Sequence, residues 1–256
     1  MLSIENIWYR YNNNRWVLRG VSLNLSKGIH SIIGPNGSGK TTLLRIIIGA
    51  LKPQRGSVRV FGEVVKGLKS TANTMVYVPS NPTMFLVGPS VGDDLRKAWS
   101  KGGGIDIDDI VEFLEIRHLL QKKIFELSEG QRHIVSVASS ILLNRRIIVL
   151  DEPTVGLDRE HREKVIRVLR EFARDKIVVM ASNDLRLAMA CDTVAYLNNG
   201  NITIHGSPNE VLIRNDEFFN NDLLVILRHM ANRGVNIETL NHRDIIEILG
   251  RLLCST

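Results

Sequence analysis

The sequence predicts an α/β fold with a largely parallel sheet flanked by helices. Three observations carry that expectation. Apolar strand-like runs alternate with helical spacing along most of the chain, a glycine-rich loop leads straight from a strand into a helix, and a second buried-strand pattern ends on an Asp-Glu pair. Residues 3–11 and 17–25 carry short, partly alternating apolar patterns with Tyr, Trp and Val, which read as antiparallel strands. Residues 29–33 form a short strand leading into Gly34, and Leu43, Leu44, Ile47 and Ile48 follow helical spacing between Lys40 and Ala50. Gly56–Val65 reads as a strand pair turning at Gly62, and Met75–Val78 as a buried strand. A polar, helical middle spans about 90–126, broken by the glycines at 102–104. A helix over 131–143, with Ile134, Val137, Ala138, Ile141 and Leu142 on one face, precedes a strand at 147–150. Helix 159–173, strand 176–181, a short helix from Asp184 and strands at 193–197 and 201–205 complete the pattern. After Pro208 only amphipathic helical spacing remains, which suggests a small α-helical C-terminal extension.

Composition bounds the function without naming it. The chain has 256 residues, 44% hydrophobic and 23% charged, an ordinary globular balance that can bury a substantial core. A net charge of +6 permits nucleic acid, an anionic membrane surface or a phosphate-bearing ligand as partner, and by itself selects none. Cys191 and Cys254 are the two cysteines and have no metal-like or redox-like spacing, which fits a reducing cytosol. The first residues lack the basic and apolar blocks of a secretory signal. The apolar runs, such as Ile46–Leu51 or Ile147–Leu150, fall far short of the roughly 20 residues a membrane-spanning helix needs. Asn36-Gly-Ser and Asn201-Ile-Thr match a glycosylation pattern that a cytosolic chain would leave unused.

The segment Gly34-Pro-Asn-Gly-Ser-Gly-Lys-Thr41 fits the phosphate-binding pattern G-x-x-x-x-G-K-[ST] in its confirming context, after a strand and before a helix. Gly34, Gly37 and Gly39 let the backbone curl and turn its N–H groups inward as an anion nest. The helix starting near Lys40 adds the partial positive charge of its N-terminus. Lys40 suits neutralisation of β- and γ-phosphates, and the Thr41 hydroxyl suits Mg²⁺. The strand ending at Leu150 delivers Asp151 and Glu152 at its C-terminal tip, where ligands of parallel sheets bind. Asp151 suits a water-mediated Mg²⁺ ligand, and Glu152 a general base for an attacking water. Such a loop alone does not separate kinases, GTPases, DNA-repair ATPases and transporters.

The next segment does. Leu127-Ser-Glu-Gly-Gln131 precedes the helix that runs into the Asp151 strand, and Ser128 with Gln131 makes an S-x-x-Q capping box. The same five residues closely resemble the LSGGQ signature of ABC ATPases, with Glu129 in place of the first Gly. Asp151-Glu-Pro-Thr-Val-Gly-Leu-Asp158 resembles that family's stretch from Walker B to D-loop, and Gly34–Thr42 its Walker A. The matches run from Tyr11 to about Pro208 in family order. The resemblance implies a P-loop NTPase with an ABC-type cassette over 1–214, comprising a mixed, mainly parallel core sheet, an N-terminal antiparallel β-subdomain and a helical signature subdomain at about 80–145. The small helical extension would occupy 215–256. It further implies ATP and Mg²⁺ as ligands in a head-to-tail dimer with a second ABC ATPase subunit, homologous or identical, on integral membrane transporter subunits. Asn36, Gly37, Ser38, Gly39, Lys40, Thr41 and Thr42 would then hold the nucleotide, while Ser128, Gly130, Gln131 and Asp158 would serve the partner's side of the interface. Tyr11 falls where the family stacks an aromatic on adenine; read as a strand residue it is a core aromatic instead.

Two stretches narrow the resemblance. Tyr77-Val-Pro-Ser-Asn-Pro-Thr-Met-Phe-Leu-Val-Gly-Pro-Ser-Val91 is similar to the Q-loop region of energy-coupling-factor and cobalt-transport ATPases. Residues 223–234 and 241–247 are similar to that group's C-terminal helices. Two positions depart from the family. Its Q-loop Gln, a metal and water ligand, aligns with Ser80, and its switch His aligns with Asn183. A Ser hydroxyl is shorter than a Gln amide, and Asn183 cannot carry a positive charge, though it can still bond a phosphate; read alone it is a helix N-cap. The site is therefore expected to bind ATP and hydrolyse it slowly, with Lys40, Glu152 and Asn183 as its catalytic candidates and Thr41, Ser80 and Asp151 around the metal. A heterodimer with one degenerate site and a homodimer with two slow ones both fit. A non-hydrolysing regulatory subunit and an ABC-type ATPase acting on nucleic acid or ribosomes are the rival functions. The single cassette without a heptad run speaks against the latter, so no nucleic-acid partner is expected. The chain is expected at the cytoplasmic face of a membrane, peripheral, powering import of a vitamin or metal ion that never touches it.

Overall fold

A computed structural model describes residues 1–12 and 15–214. A six-stranded sheet forms the centre, ordered β10-β9-β3-β8-β7-β6. Its strands are β3 (Gly28–Ile33), β6 (Met75–Val78), β7 (Ile147–Asp151), β8 (Ile177–Ala181), β9 (Thr193–Asn198) and β10 (Asn201–Gly206). All neighbours pair in parallel except β9 with β10, so the sheet is mixed and mainly parallel, as the alternating pattern predicts. Every residue of β7 and β8 is buried, which explains why these strands read as unbroken apolar runs. A second, antiparallel sheet joins β2 (Leu18–Leu25), β1 (Leu2–Tyr9), β4 (Arg55–Val60) and β5 (Glu63–Val64).

Alternation along the central strands builds two cores. Ile148, Leu150, Val178 and Met180 face a cluster shared with helices α3 (Val91–Gly102), α5 (Glu129–Leu142) and α6 (Arg159–Ala173). Ile147, Val149, Ile177 and Val179 face the other way, onto helix α1 (Lys40–Ile47) and the antiparallel sheet. Leu43, Leu44, Ile46 and Ile47 of α1 are buried there, each contributing about 1.5–3 kcal/mol of burial energy. The short helices are α2 (Leu68–Thr71), α4 (Ile107–Phe113), α7 (Leu185–Met189) and α8 (Pro208–Arg214).

Three boundaries differ from the sequence reading by two residues or more. The first strand stops at Tyr9, because Tyr11 leaves the sheet to meet α1. Helix α1 ends at Ile47, where Gly49 (φ +80°) turns the chain. Helix α5 starts at Glu129 rather than 131, since Ser128 is its N-cap and Gln131 its third residue. The extension expected over 215–256 and Cys254 lie outside the described residues.

Between β6 and β7 the chain is helical, and one buried carboxylate organises its edge. Asp94 Oδ1 accepts bonds of 2.8 Å from the N–H groups of Val87 and Gly88, and Oδ2 accepts one of 2.6 Å from the Ser139 hydroxyl on α5. Gly88 is required by space: a Cβ there would lie 2.5 Å from the Asp94 nitrogen.

Candidate nucleotide-binding site

Strand β3 ends at Ile33 and the loop to α1 begins with Gly34, where a Cβ would lie 2.0 Å from the Leu197 carbonyl oxygen on neighbouring β9. Gly37 and Gly39 take φ of +79° and +107°, which side-chain-bearing residues rarely adopt. The loop wraps a buried ammonium group. Lys40 is 8% exposed, and its Nζ donates to the carbonyls of Gly34 (2.7 Å) and Pro35 (3.3 Å). Burial pushes its pKa down, opposed by the charges of Glu152 and Asp151. The Ser38 hydroxyl is buried and, among the described residues, has no hydrogen-bond partner. A concave glycine loop, a helix start, a buried lysine and an orphaned hydroxyl together fit phosphate oxygens, which would satisfy the groups the fold leaves short.

Opposite the loop, β7 delivers Asp151, 2% exposed, and then Glu152. Asp151 Oδ2 accepts from the Thr41 hydroxyl at 2.8 Å, so two of the three metal candidates already touch. Burial raises the Asp151 pKa, while the bonds from Thr41 and Tyr77 pull it back. Glu152 sits at φ +52°, outside the usual range for a residue with a side chain, and this turns its carboxylate off the strand line. Its Oε2 accepts from the Ser182 hydroxyl at 3.0 Å. Burial raises the Glu152 pKa too, which makes it a stronger base than a free carboxylate. A hydroxyl-carboxylate pair of this kind fits a hydrated divalent cation, so Thr41 and Asp151 would hold Mg²⁺.

The segment after β8 closes the site. Asn183 Nδ2 donates to Asn36 Oδ1 at 2.8 Å, tying it to the phosphate loop. It is not the N-cap of α7: that role falls to Asp184, whose carboxylate accepts from the Arg186 N–H at 3.0 Å. Asn183 is thereby left facing the loop. Arg162 braces this turn through an ion pair with Asp184 at 3.2 Å and a bond to the Leu157 carbonyl at 3.2 Å.

The remaining candidates divide into two groups. Ser128 and Gln131 make the reciprocal capping box, 3.2 Å and 3.1 Å, and the serine O–H stays exposed as a donor. Gly130 is buried, and a Cβ on it would lie 2.2 Å from the Gly156 carbonyl, so the start of α5 rests on the 154–158 turn. Asp158 caps α6 through the His161 N–H at 2.8 Å and also contacts the His161 ring. The Tyr11 hydroxyl lies 3.3 Å from that of Thr42, and its ring meets Tyr9 edge-on at 4.9 Å. At 40% exposure Tyr11 is a surface aromatic beside the loop, not a core strand residue. Ser80 is exposed on the loop after β6 and, among the described residues, has no hydrogen bond to Asp151 or Thr41. Tyr77 and Ser182 are site residues that sequence reading missed. Tyr77 had left a signal, since a tyrosine on a buried strand must find a partner for its hydroxyl.

The fold and these residues define a P-loop nucleoside-triphosphate-binding cassette. The family model for the ABC transporter matches residues 18–155, and the chain belongs to that family as an ATP-binding subunit. The energy-coupling factor transporter ATP-binding protein EcfA1 of Ureaplasma parvum serovar 3 is 29% identical, over 96% of this chain and 90% of that one. A putative ABC transporter ATP-binding protein of Pyrococcus furiosus is 30% identical, over 80% of this chain and 83% of its own length. Among solved structures, cbiO1 from Clostridium perfringens, part of the ABC transporter complex cbiONQ, superposes with a TM-score of 0.73 at 23% identity, covering 93% and 95% of the two chains. A dimeric ATP-binding cassette with ADP and Pi gives 0.71 at 24% identity, covering 81% of this chain and 99% of that one. The last two speak to the fold.

Proposed function

We propose that this chain binds ATP with Mg²⁺ between Gly34 and Thr42, hydrolyses it slowly, and powers import through membrane subunits as one half of an ATPase dimer. One observation carries the reading. Lys40, Thr41, Asp151 and Glu152 converge at the ends of β3 and β7, while position 183 offers an amide to Asn36 where an ionisable ring is the family's choice. Lys40 would leave its own loop carbonyls for phosphate oxygens, and Asn36, Gly37, Ser38 and Gly39 would wrap them. Thr41 and Asp151 would hold the Mg²⁺ ion, whose chemistry is to neutralise the charge that builds up on the phosphates. Glu152, oriented by Ser182, takes a proton from the attacking water. Asn183 orients without adding positive charge, and the shorter Ser80 side chain, exposed on its loop, stands where the family has a metal-ligating amide; slow turnover follows from both.

Ser128, Gly130, Gln131 and Asp158 would complete the partner ATPase's site across a dimer interface, and Tyr11 would flank adenine. For the membrane subunits, a groove of about 860 Å³ runs along Thr83, Gly88, Ser90, Lys123, Phe125 and Arg132. Met84, Val87 and Phe125 beside it are 77%, 64% and 73% exposed, the apolar rim an amphipathic helix of a partner requires. No helix among the described residues is long and apolar enough to cross a membrane, in keeping with a peripheral place at the cytoplasmic face. The relatives named for energy-coupling factor transport support a vitamin or metal ion as cargo, which does not contact this chain.

The test is steady-state turnover by the purified chain beside the Ser80→Gln/Asn183→His double variant. The parent is expected well below about 1 s⁻¹, with the variant at least about tenfold faster. Parent turnover at or above that rate overturns the slow-site reading. Tight binding with no turnover in parent or variant, even with partner subunits, favours a regulatory subunit.

A further inference from the structure

Beside Thr41, the Asp151 carboxylate has a second donor, which belongs to neither the phosphate loop nor its own strand. Tyr77 lies on β6, the edge strand paired in parallel with β7 in the register Tyr77↔Val149. Val149 and Asp151 are two residues apart on one strand, so Tyr77 and Asp151 share the sheet face that α1 covers. From there the tyrosine hydroxyl donates to Asp151 Oδ2 at 3.3 Å, beside the 2.8 Å bond from Thr41. Both donors fall on the same oxygen, Oδ2. Arg45, one turn along α1 from Thr41, sets its positive charge beside the same hydroxyl.

The geometry points to Tyr77 as a positioning residue that fixes the Asp151 carboxylate for a divalent cation, with the Arg45 charge beside it. This rests on the reading of the site as one for ATP with Mg²⁺. A leucine or phenylalanine would fill the same volume on β6. Tyrosine adds a hydroxyl that reaches the carboxylate, on the same oxygen that Thr41 bonds. The Arg45 charge also acts on Tyr11, the aromatic beside the loop.

The experiment is ATP binding by the purified full chain, with Mg²⁺ and again in EDTA, for the parent, Tyr77→Phe and Arg45→Lys. The quantity read is the ratio of the two affinities, which reports metal coupling and cancels any general loss of packing. Loss of one long hydrogen bond to a charged group predicts that Tyr77→Phe lowers this ratio about five- to tenfold. Arg45→Lys is expected to lower it by a smaller factor. With Mn²⁺ replacing Mg²⁺, the spectrum of the bound ion in Tyr77→Phe should show a looser, more exchangeable shell. A ratio equal to the parent's, whether both affinities stay or fall together, overturns the inference. A parent that binds no ATP under either condition instead removes the reading of the site, and the inference with it.

Discussion

Asp94 anchors the wall of the groove assigned to the membrane subunits, and its contribution can be worked out bond by bond. Asp94→Ala removes the acceptor of two backbone N–H groups and of the Ser139 hydroxyl, held at 2.8, 2.8 and 2.6 Å. Each abandoned donor costs about 1–3 kcal/mol where water cannot replace the partner. Val87 and Gly88 lie at the edge of the helical region, so water recovers part of theirs, and the total expected is about 2–4 kcal/mol. Asp94→Asn keeps Oδ1 for the two N–H groups and turns an amide toward Ser139, which can accept; it should cost only about 1 kcal/mol. Ser139→Ala should cost about as much. Urea denaturation of the three variants gives the series, and the Asn and Ala changes should be non-additive in the double variant because they share one bond. Should Asp94→Ala fall within about 0.5 kcal/mol of the parent, the loop would be served by water and the reasoning would be refuted.

Three further outcomes follow from the site. Burial holds Glu152 and Asp151 above the ordinary carboxylate range, so each favours the folded chain while protonated, and that contribution is lost as pH rises through the raised value. Glu152→Gln should accordingly raise the unfolding temperature at neutral pH, with the gain vanishing below the ordinary carboxylate range; a gain constant with pH would contradict burial as the cause. Lys40→Met removes a buried charge, and should weaken ATP binding about tenfold to a hundredfold while unfolding stability without nucleotide stays within about 1 kcal/mol. Gly130→Ala places a methyl group 2.2 Å from the Gly156 carbonyl and should cost about 1–3 kcal/mol, read by thermal unfolding. Equal stability would show that the 154–158 turn moves freely.

Much of this was legible in the chain because the chemistry is local there. Gly34 to Thr41 declares itself through spacing, and Ser128 with Gln131 through a capping box that the structure reproduces in both directions. The start of α5 was not legible: the sequence reading put it at 131, and in the structure the box sets it at Glu129. At residues 183–184 two adjacent residues could both cap a helix, and no local rule chose Asp184. What stayed hidden was nonlocal. The pairings Tyr77 with Asp151, Asn36 with Asn183 and Asp94 with Ser139 span 74, 147 and 45 residues, and each is created by strand order or helix packing. The strained backbone of Glu152 was equally invisible, since nothing in an Asp-Glu pair reports the sign of φ.

The central claim is that the site at Lys40, Thr41, Asp151 and Glu152 binds ATP and cleaves it. The most direct measurement follows ATP binding and phosphate release together for the purified chain, parent beside Glu152→Gln. The account predicts that both bind ATP, that the parent releases phosphate slowly, and that Glu152→Gln lowers this release by about a hundredfold or more, to background. Binding without any dependence of phosphate release on Glu152, or no binding by the parent, would contradict it.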